Sequence, residues 1–387
     1  MELTNRLFLF KEILKSKKLA GAVLFRPQRI QYFINFIHLS TERPIALIIP
    51  VHGEPAMMVP KLEEEHLALQ SPWISQVLVY EEYPGTTHPM ILLADFINKL
   101  GIAGQHLGAD HDGFLDQNSY AGPSLHSVMK TDIVDIGKDV DNLRMVKAAD
   151  ELDLMRQSGH WAAVAHKCLQ AEMAEGESEH AISRRAEEKA FNLLFEQVDL
   201  TGHFGTVGLH ASFRSGVKTS MGHAAMDSKL LDRGDNLVTY CQGIASGYIA
   251  ELERTLFLGE PSAEKKEYFQ IVRDARQMVL DMLKPGVECS QIDGSVREFF
   301  KTRGVLSYTT HHQGHGLGLE FHEAPFLDLG DPTVLEAGMV VSVEPGLYIK
   351  GLGGFRHSDT VAITKSGYEI LTPYPSELES LIIEPSF

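Results

Sequence analysis

Apolar residues recur at helical spacing from the first turn of the chain, with Leu3, Leu7, Phe10 and Leu14 on one face while Glu2, Arg6, Lys11 and Glu12 interrupt any continuous apolar run. This pattern predicts an amphipathic helix, not a signal peptide or a membrane span. The apolar runs LAGAVLF and IQYFINF follow, then PIALIIP as a strongly β-prone strand, the turn VHGEP, and AMMVP as its hairpin partner. LEEEHLALQ predicts a helix, QVLVY a strand, HPMILLADFINKLG a helix closed by Gly101, and HLGAD another strand. Turn formers around Gly122, Pro123 and Gly137 place a boundary near 135, giving domains 1–135 and 136–387.

The second domain opens on one long helical pattern, DNLRMVKAADELDLMRQSGHWAAVAHKCLQAEM, followed by SEHAISRRAEEKAFNLLFEQ with Ser178 as its N-cap. Two further helices are stopped by Pro285 with Gly286 and by Gly304, and MVVSVEPGLYI, GGFRHSDTVAIT and GYEILT read as strands. Between the helices lies GDNLVTYCQGIASGYIAELERTLFLG, two strands joined by a turn at Ala245, Ser246 and Gly247. Strand alternation puts Ile249, Glu251, Glu253 and Thr255 on one face. Two carboxylates two residues apart on a strand face repel unless a cation or a shared proton lies between them.

Composition narrows the partners. The 387 residues carry 44% hydrophobic positions, enough for two packed domains, and 35 Lys plus Arg against 52 Asp plus Glu give a net charge of −17. That balance argues against nucleic acid and anionic membrane and for a chain that attracts cations. Cys168, Cys241 and Cys289 are odd in number and widely spaced, which predicts reduced thiols in the cytoplasm, not disulfides or a zinc knuckle.

Four places carry candidate chemistry: His223 among small residues in SMGHAAMD, the Glu251/Glu253 pair, His315 between two glycines in HHQGHGLGLEFHEAP, and Glu344 ending an apolar run in SVEPGLY. Singly, each has an ordinary reading: a core or surface histidine, a strand-end Glu paired with an Arg, Glu253 in a surface ion pair with Arg254. Their joint appearance raises the functional reading.

The order GHGLGLEFHEAP, LEAGMVVSVEPGLYI, GGFRHSDTVAIT resembles the pita-bread hydrolase family of methionine aminopeptidases, Xaa-Pro peptidases, prolidases and creatinase. The resemblance spans the C-terminal half, and the N-terminal half is similar to the extra domain of the prolidase and creatinase branch. It implies an α+β fold, with an α/β N-terminal domain followed by an antiparallel sheet covered by helices. The family's metallopeptidases use five ligands, and their positions fall here on Tyr240, Glu251, His315, Glu344 and Ser358. With Tyr and Ser in two of the five, a paired metal site is not expected.

The resemblance to creatinase instead implies His223 as general acid and base, with Glu253 and Glu344 as catalytic carboxylates holding a cationic substrate group. Arg43 then matches an arginine that grips the substrate carboxylate across a dimer interface. Creatinase's other substrate arginine falls near His322, its second histidine on Ser358 and a pocket phenylalanine on Thr41, so creatine itself is not implied. The reading placed first is therefore a metal-independent hydrolase of a C–N bond in a small zwitterionic or amidine-type substrate. In it Arg43, Glu251, His315, His322, Tyr240 and Ser358 contact substrate, Phe213, Tyr240, His322 and Phe355 set pocket size, no cofactor is required, and the chain is a homodimer. The second reading is an Xaa-Pro dipeptidase-like metallopeptidase in which Glu251, His315 and Glu344 hold a single divalent ion such as Zn, Mn or Co, assisted by His357 or Glu253. The third is a non-catalytic binding protein on the same scaffold.

Overall fold

The computed structural model describes residues 3–102, 106–113, 120–199 and 206–384. The chain forms two compact units, 1–144 and 145–387. The sequence pattern put the division near 135; the helix Gly137–Met145 extends the first unit because Arg29 reaches Asp141 with Nη2 at 2.8 Å from Oδ2.

Among the described residues, the first unit holds a six-stranded sheet ordered Gln76–Tyr80, Ala56–Pro60, Ala46–Pro50, Gly21–Leu24, Leu107–Ala109 and Ile133–Asp135. PIALIIP and AMMVP pair antiparallel, Ala46 opposite Met58, as their alternating β-prone residues predict. IQYFINF is not extended. Pro27 opens the helix Pro27–Ile34, where its fixed φ suits the first turn, and Asn35 closes it at φ 57°.

Among the described residues, the second unit holds a ten-stranded sheet whose path runs Glu323–Phe326, His315–Gly316, Val340–Val343, Ser358–Ile363, Tyr248–Glu253, Asn236–Ala245, Thr255–Leu258, Ile382–Ile383; Tyr368–Ile370 joins it at 358–363 and Gly208–Ser215 at 236–245. Helices Ala149–Glu172, Glu179–Gln197, Ala263–Met282 and Cys289–Thr302 bury Trp161, Leu169, Leu194, Phe269 and Phe300 in one core with the sheet's apolar face. Burying such side chains is the main stabilising term, about 1.5–3 kcal/mol each.

Two local features position the site. The central hairpin turns at Ser246 (φ 47°) and Gly247 (φ 81°), the pair of positive φ values that a tight hairpin needs. The long helical pattern after residue 141 is interrupted, because Val146 bridges to Met339 and the Lys147 amide donates to Gly338 O at 2.8 Å before the helix restarts at Ala149. The helical period of the side chains persists across this gap, so only the backbone pairing shows it.

Candidate active site

Alternation along Tyr248–Glu253 turns Glu251 and Glu253 to the same side, and both side chains are buried against a cavity of about 460 Å³. His315 reaches it from the two-residue strand beside Val340–Val343. A Cβ at Gly314 would lie 2.0 Å from Ser342 O and one at Gly316 2.3 Å from Ala324 O, so only glycines let the neighbouring backbones close around this histidine. Glu344 follows Val340–Val343, its amide held by Gln313 O at 2.9 Å.

Glu251, His315 and Glu344 converge, with one potential ligand atom from each lying within 4.8 Å of the others. His315 Nε2 stands 3.3 Å from Glu344 Oε1 and 3.9 Å from Glu251 Oε1. Its Nδ1 lies 2.9 Å from Gly316 O, a contact that requires Nδ1–H and leaves the Nε2 lone pair facing the carboxylates. Burial pushes the His315 imidazole down to about 4, so it is neutral and able to ligate. Burial pushes both carboxyls up. For Glu344 the Glu251 charge adds to it, while for Glu251 the Ser358 hydroxyl, donating at 2.8 Å, opposes it. One lone pair and two carboxylates brought this close together make a donor set that fits a divalent cation.

Glu253 has a different fate from the one its sequence neighbours suggest. Arg356 donates from Nη2 to Glu253 Oε1 at 2.5 Å, and its Nε pairs with Oε2. The guanidinium also donates from Nη1 to the Tyr348 hydroxyl at 3.3 Å, and Tyr348 lies 2.8 Å from His311 Nε2. Burial favours a protonated Glu253 and Arg356 opposes it. The expected grip of Glu253 on a substrate cation is therefore corrected: the carboxylate already holds an internal one. Arg356 lay unremarked within GGFRHSD, because nothing in a strand pattern says which side chain crosses to which neighbour.

The remaining residues divide. Tyr240 and His322 line the cavity, Tyr240 edge-on to Phe321 at 5.8 Å and His322 stacked on His315 at 3.9 Å. His223 lies at the cavity and is exposed. Ser358 is buried behind Glu251. Phe213 and Phe355 are buried in the hydrophobic core and, unlike Tyr240, do not line the cavity; His357 is also fully buried, against Phe269, and belongs neither to the cavity lining nor to the converging donor set. Arg43 pairs with Glu42 and, at 3.3 Å, with Glu82 inside the first unit. The sequence reading passed over Arg214, which lines the cavity from Gly208–Ser215 with Nε bonded to Ala224 O and has no carboxylate partner among the described residues.

With this geometry in place, comparison with known proteins gives the class. The model of metallopeptidase family M24 matches residues 153–365, and that of the creatinase/prolidase N-terminal domain matches residues 6–146. The chain belongs to metallopeptidase family M24 and is a hydrolase of the creatinase and Xaa-Pro peptidase superfamily. An uncharacterized peptidase of Bacillus subtilis, YqhT, is 31% identical over 285 residues, 74% of this chain and 77% of its own, and an uncharacterized Staphylococcus aureus peptidase is 29% identical over 366 residues, covering 93% and 97%. The structure of the Xaa-Pro dipeptidase from Bacillus anthracis superposes with a TM-score of 0.84 at 24% identity over 99% of this chain and 100% of that one. Dipeptidase PepE from Mycobacterium ulcerans gives 0.83 at 26% over 99% and 98%.

These findings overturn the reading placed first. A metal-independent amidine or C–N hydrolase requiring no cofactor gives way to the metallopeptidase alternative, because a metallopeptidase model spans the catalytic half and a metal-suited triad sits in its cavity. The absence of two family ligands had weighed too heavily against metal, since the three that remain converge.

Proposed function

We propose that the cavity is a metal-dependent peptidase site acting on short peptides of the Xaa-Pro dipeptide type, with one divalent ion held by Glu251, His315 and Glu344. The convergence of these three donors within 4.8 Å carries the reading, and the dipeptidase names of the solved structures it resembles support it. When bound, such an ion supplies Lewis acidity toward a carbonyl oxygen and toward water. The chain's own groups do the rest. Exposed His223 at the cavity moves a proton between water and the departing nitrogen. Phe321 and His322, their rings tilted by 41° to each other, offer aromatic surface to an apolar ring. Arg214, a cavity guanidinium without a carboxylate partner among the described residues, faces the substrate's carboxylate. The dimer in which Arg43 reaches the partner's cavity belongs to this proposal, as does a cytoplasmic setting, supported by three free thiols and by the absence, among the described residues, of a helix long and apolar enough to cross a membrane.

The test is metal analysis of the purified protein together with hydrolysis of Xaa-Pro dipeptides before and after chelation. Activity lost on chelation and restored by Mn, Zn or Co is expected; turnover indifferent to chelation refutes the proposal. A second measurement checks the pH dependence. Glu251 and Glu344 have carboxyls raised in the ion-free fold, so folded protein retains protons that the unfolded chain releases above about pH 4.3. Ion-free stability therefore falls as pH rises from there, and a divalent ion replaces those protons. The gain in Tm from added Mn is expected to be larger at pH 8 than at pH 5.5; equal gains would count against these ligands.

For Arg214, a dipeptide with a free C-terminal carboxylate should be cleaved about 10- to 100-fold faster in kcat/KM than its amide, the range of a charge-assisted hydrogen bond. Arg214→Gln should erase that preference while leaving the amide unaffected.

A further inference from the structure

We infer that Glu179, a fully buried carboxylate outside the cavity lining, is the positioning residue for His223; this rests on the proton-transfer role given to His223 above. Glu179 is the first residue of the helix Glu179–Gln197, which is capped by Ser178, whose hydroxyl accepts from the Ala181 amide at 3.2 Å. An acidic residue in a first turn ordinarily serves its own helix, capping a free amide or facing the positive end of the dipole. The hydrogen bonds of Glu179 instead leave the helix. Its Oε1 accepts from the Ser215 amide at 2.7 Å and from the Ser215 hydroxyl at 2.8 Å, and its Oε2 accepts from the Asp227 amide at 3.1 Å. One carboxylate therefore ties together the two ends of segment 215–227, and His223 lies between them.

His223 depends on that segment for its place. Its side chain is exposed at the cavity, and no hydrogen bond from a described residue holds the ring. The near part of the segment is also fastened to a neighbouring strand, where Thr219 Oγ1 accepts from the Gly354 amide at 2.8 Å. Beyond it the backbone turns, the Ala224 amide donating to Met221 O at 2.9 Å while Arg214 Nε bonds Ala224 O. The far end closes on Glu179 through the Asp227 amide. Helix formation alone gives no reason to bury a carboxylate at position 179, since burial is costly unless every oxygen is satisfied. Here three donors satisfy it, and the Lys218 ammonium stands 3.6 Å from Oε2. Glu179→Gln keeps the shape but turns one acceptor oxygen into an NH2 donor, which meets an N–H and releases one end of the segment.

The experiment is a double-mutant cycle on the metal-loaded full chain, read as kcat and KM for a dipeptide amide, a substrate that gives Arg214 no carboxylate to bind. His223→Ala is expected to lower kcat by about 10²-fold or more, the range of a general acid or base. Glu179→Gln is expected to lower kcat by about 10- to 100-fold with KM within about 2-fold, the signature of a misplaced proton carrier, and to keep its ion by elemental analysis. In the His223→Ala background the same substitution should change kcat by less than about 2-fold, because no imidazole is left to misplace. A loss that persists without His223, no loss in either background, or loss of the ion from Glu179→Gln overturns the inference and leaves the role of His223 standing. Full kcat in His223→Ala, or a wild type without turnover, overturns the reading it rests on and the inference with it. If Glu179→Gln fails to fold by circular dichroism, Ser215→Ala decides in the same cycle. It removes one of the bonds to the carboxylate, so a loss in kcat of about 3-fold that vanishes without His223 is expected. No loss, or a loss equal in both backgrounds, overturns the inference.

Discussion

Replacing His315 with Ala is expected to strip the protein of its divalent ion and to lower kcat/KM toward an Xaa-Pro dipeptide by about 10³-fold or more. The estimate follows from the several kcal/mol that a Lewis acid contributes to a transition state, at 1.36 kcal/mol per factor of ten. His315 is the neutral donor of the triad, its orientation set by the Nδ1 contact to Gly316 O at 2.9 Å, and without it Glu251 and Glu344 face each other with only oxygen ligands. Elemental analysis and steady-state kinetics on the same preparation separate the outcomes. Loss of ion with loss of activity is expected, whereas full activity without the imidazole would remove this residue from the centre. The fold should survive, because the side chain's removal leaves the Ser342 hydroxyl still holding the backbone amide of residue 315 at 2.9 Å.

The contrast between what the chain's pattern shows and what it hides follows from the range of the interactions involved. Period-2 and period-3.6 alternation located most strands and helices, and the positive φ at Ser246 and Gly247 was legible as a turn between two β-prone runs. These are local signals. The residues GHG, EP and the hairpin acids were also legible as a constellation, and three of them meet in one cavity. What was not legible is who neutralises whom. The pattern offered Glu253 either a surface ion pair with its neighbour Arg254 or a substrate cation, yet Arg254 turns into the core to meet Asp359 and the counter-charge to Glu253 comes from Arg356, 103 residues away. The same blindness produced the metal-free expectation. With Tyr240 and Ser358 in ligand positions, a tally of types argued against metal, whereas the spatial closeness of Glu251, His315 and Glu344 leaves a smaller donor set that fits one ion.

That core pair is where the largest effect on stability is expected. Arg254 Nη2 lies 2.8 Å from Asp359 Oδ1, both side chains have no solvent exposure, and Arg276 Nε pairs with the other oxygen. Arg254 also donates to the carbonyls of Ser358 at 2.9 Å and Pro375 at 2.9 Å, so it ties the strand carrying Glu251 and Glu253 to the strand carrying Ser358. Asp359→Asn keeps the shape but leaves two buried guanidinium groups without a counter-charge, which should cost about 3–5 kcal/mol. For a unit of this size that corresponds to roughly 6–20 °C in Tm at about 2–4 °C per kcal/mol. The sign of its pH dependence also follows. Burial alone would raise the Asp359 carboxyl, but Arg254 and Arg276 outweigh it and hold the carboxyl below its usual range. Its contribution is therefore present above the unfolded carboxyl's value of about 3.9 and is lost as pH falls through the lower folded value. Thermal melts from pH 7 downward should show wild type and Asp359→Asn far apart at neutral pH and converging in acid. A gap that stays constant into acid would mean that the loss is independent of the carboxyl's ionisation, and that its charge is not what holds the two guanidinium groups, and with them the register of the site, in place.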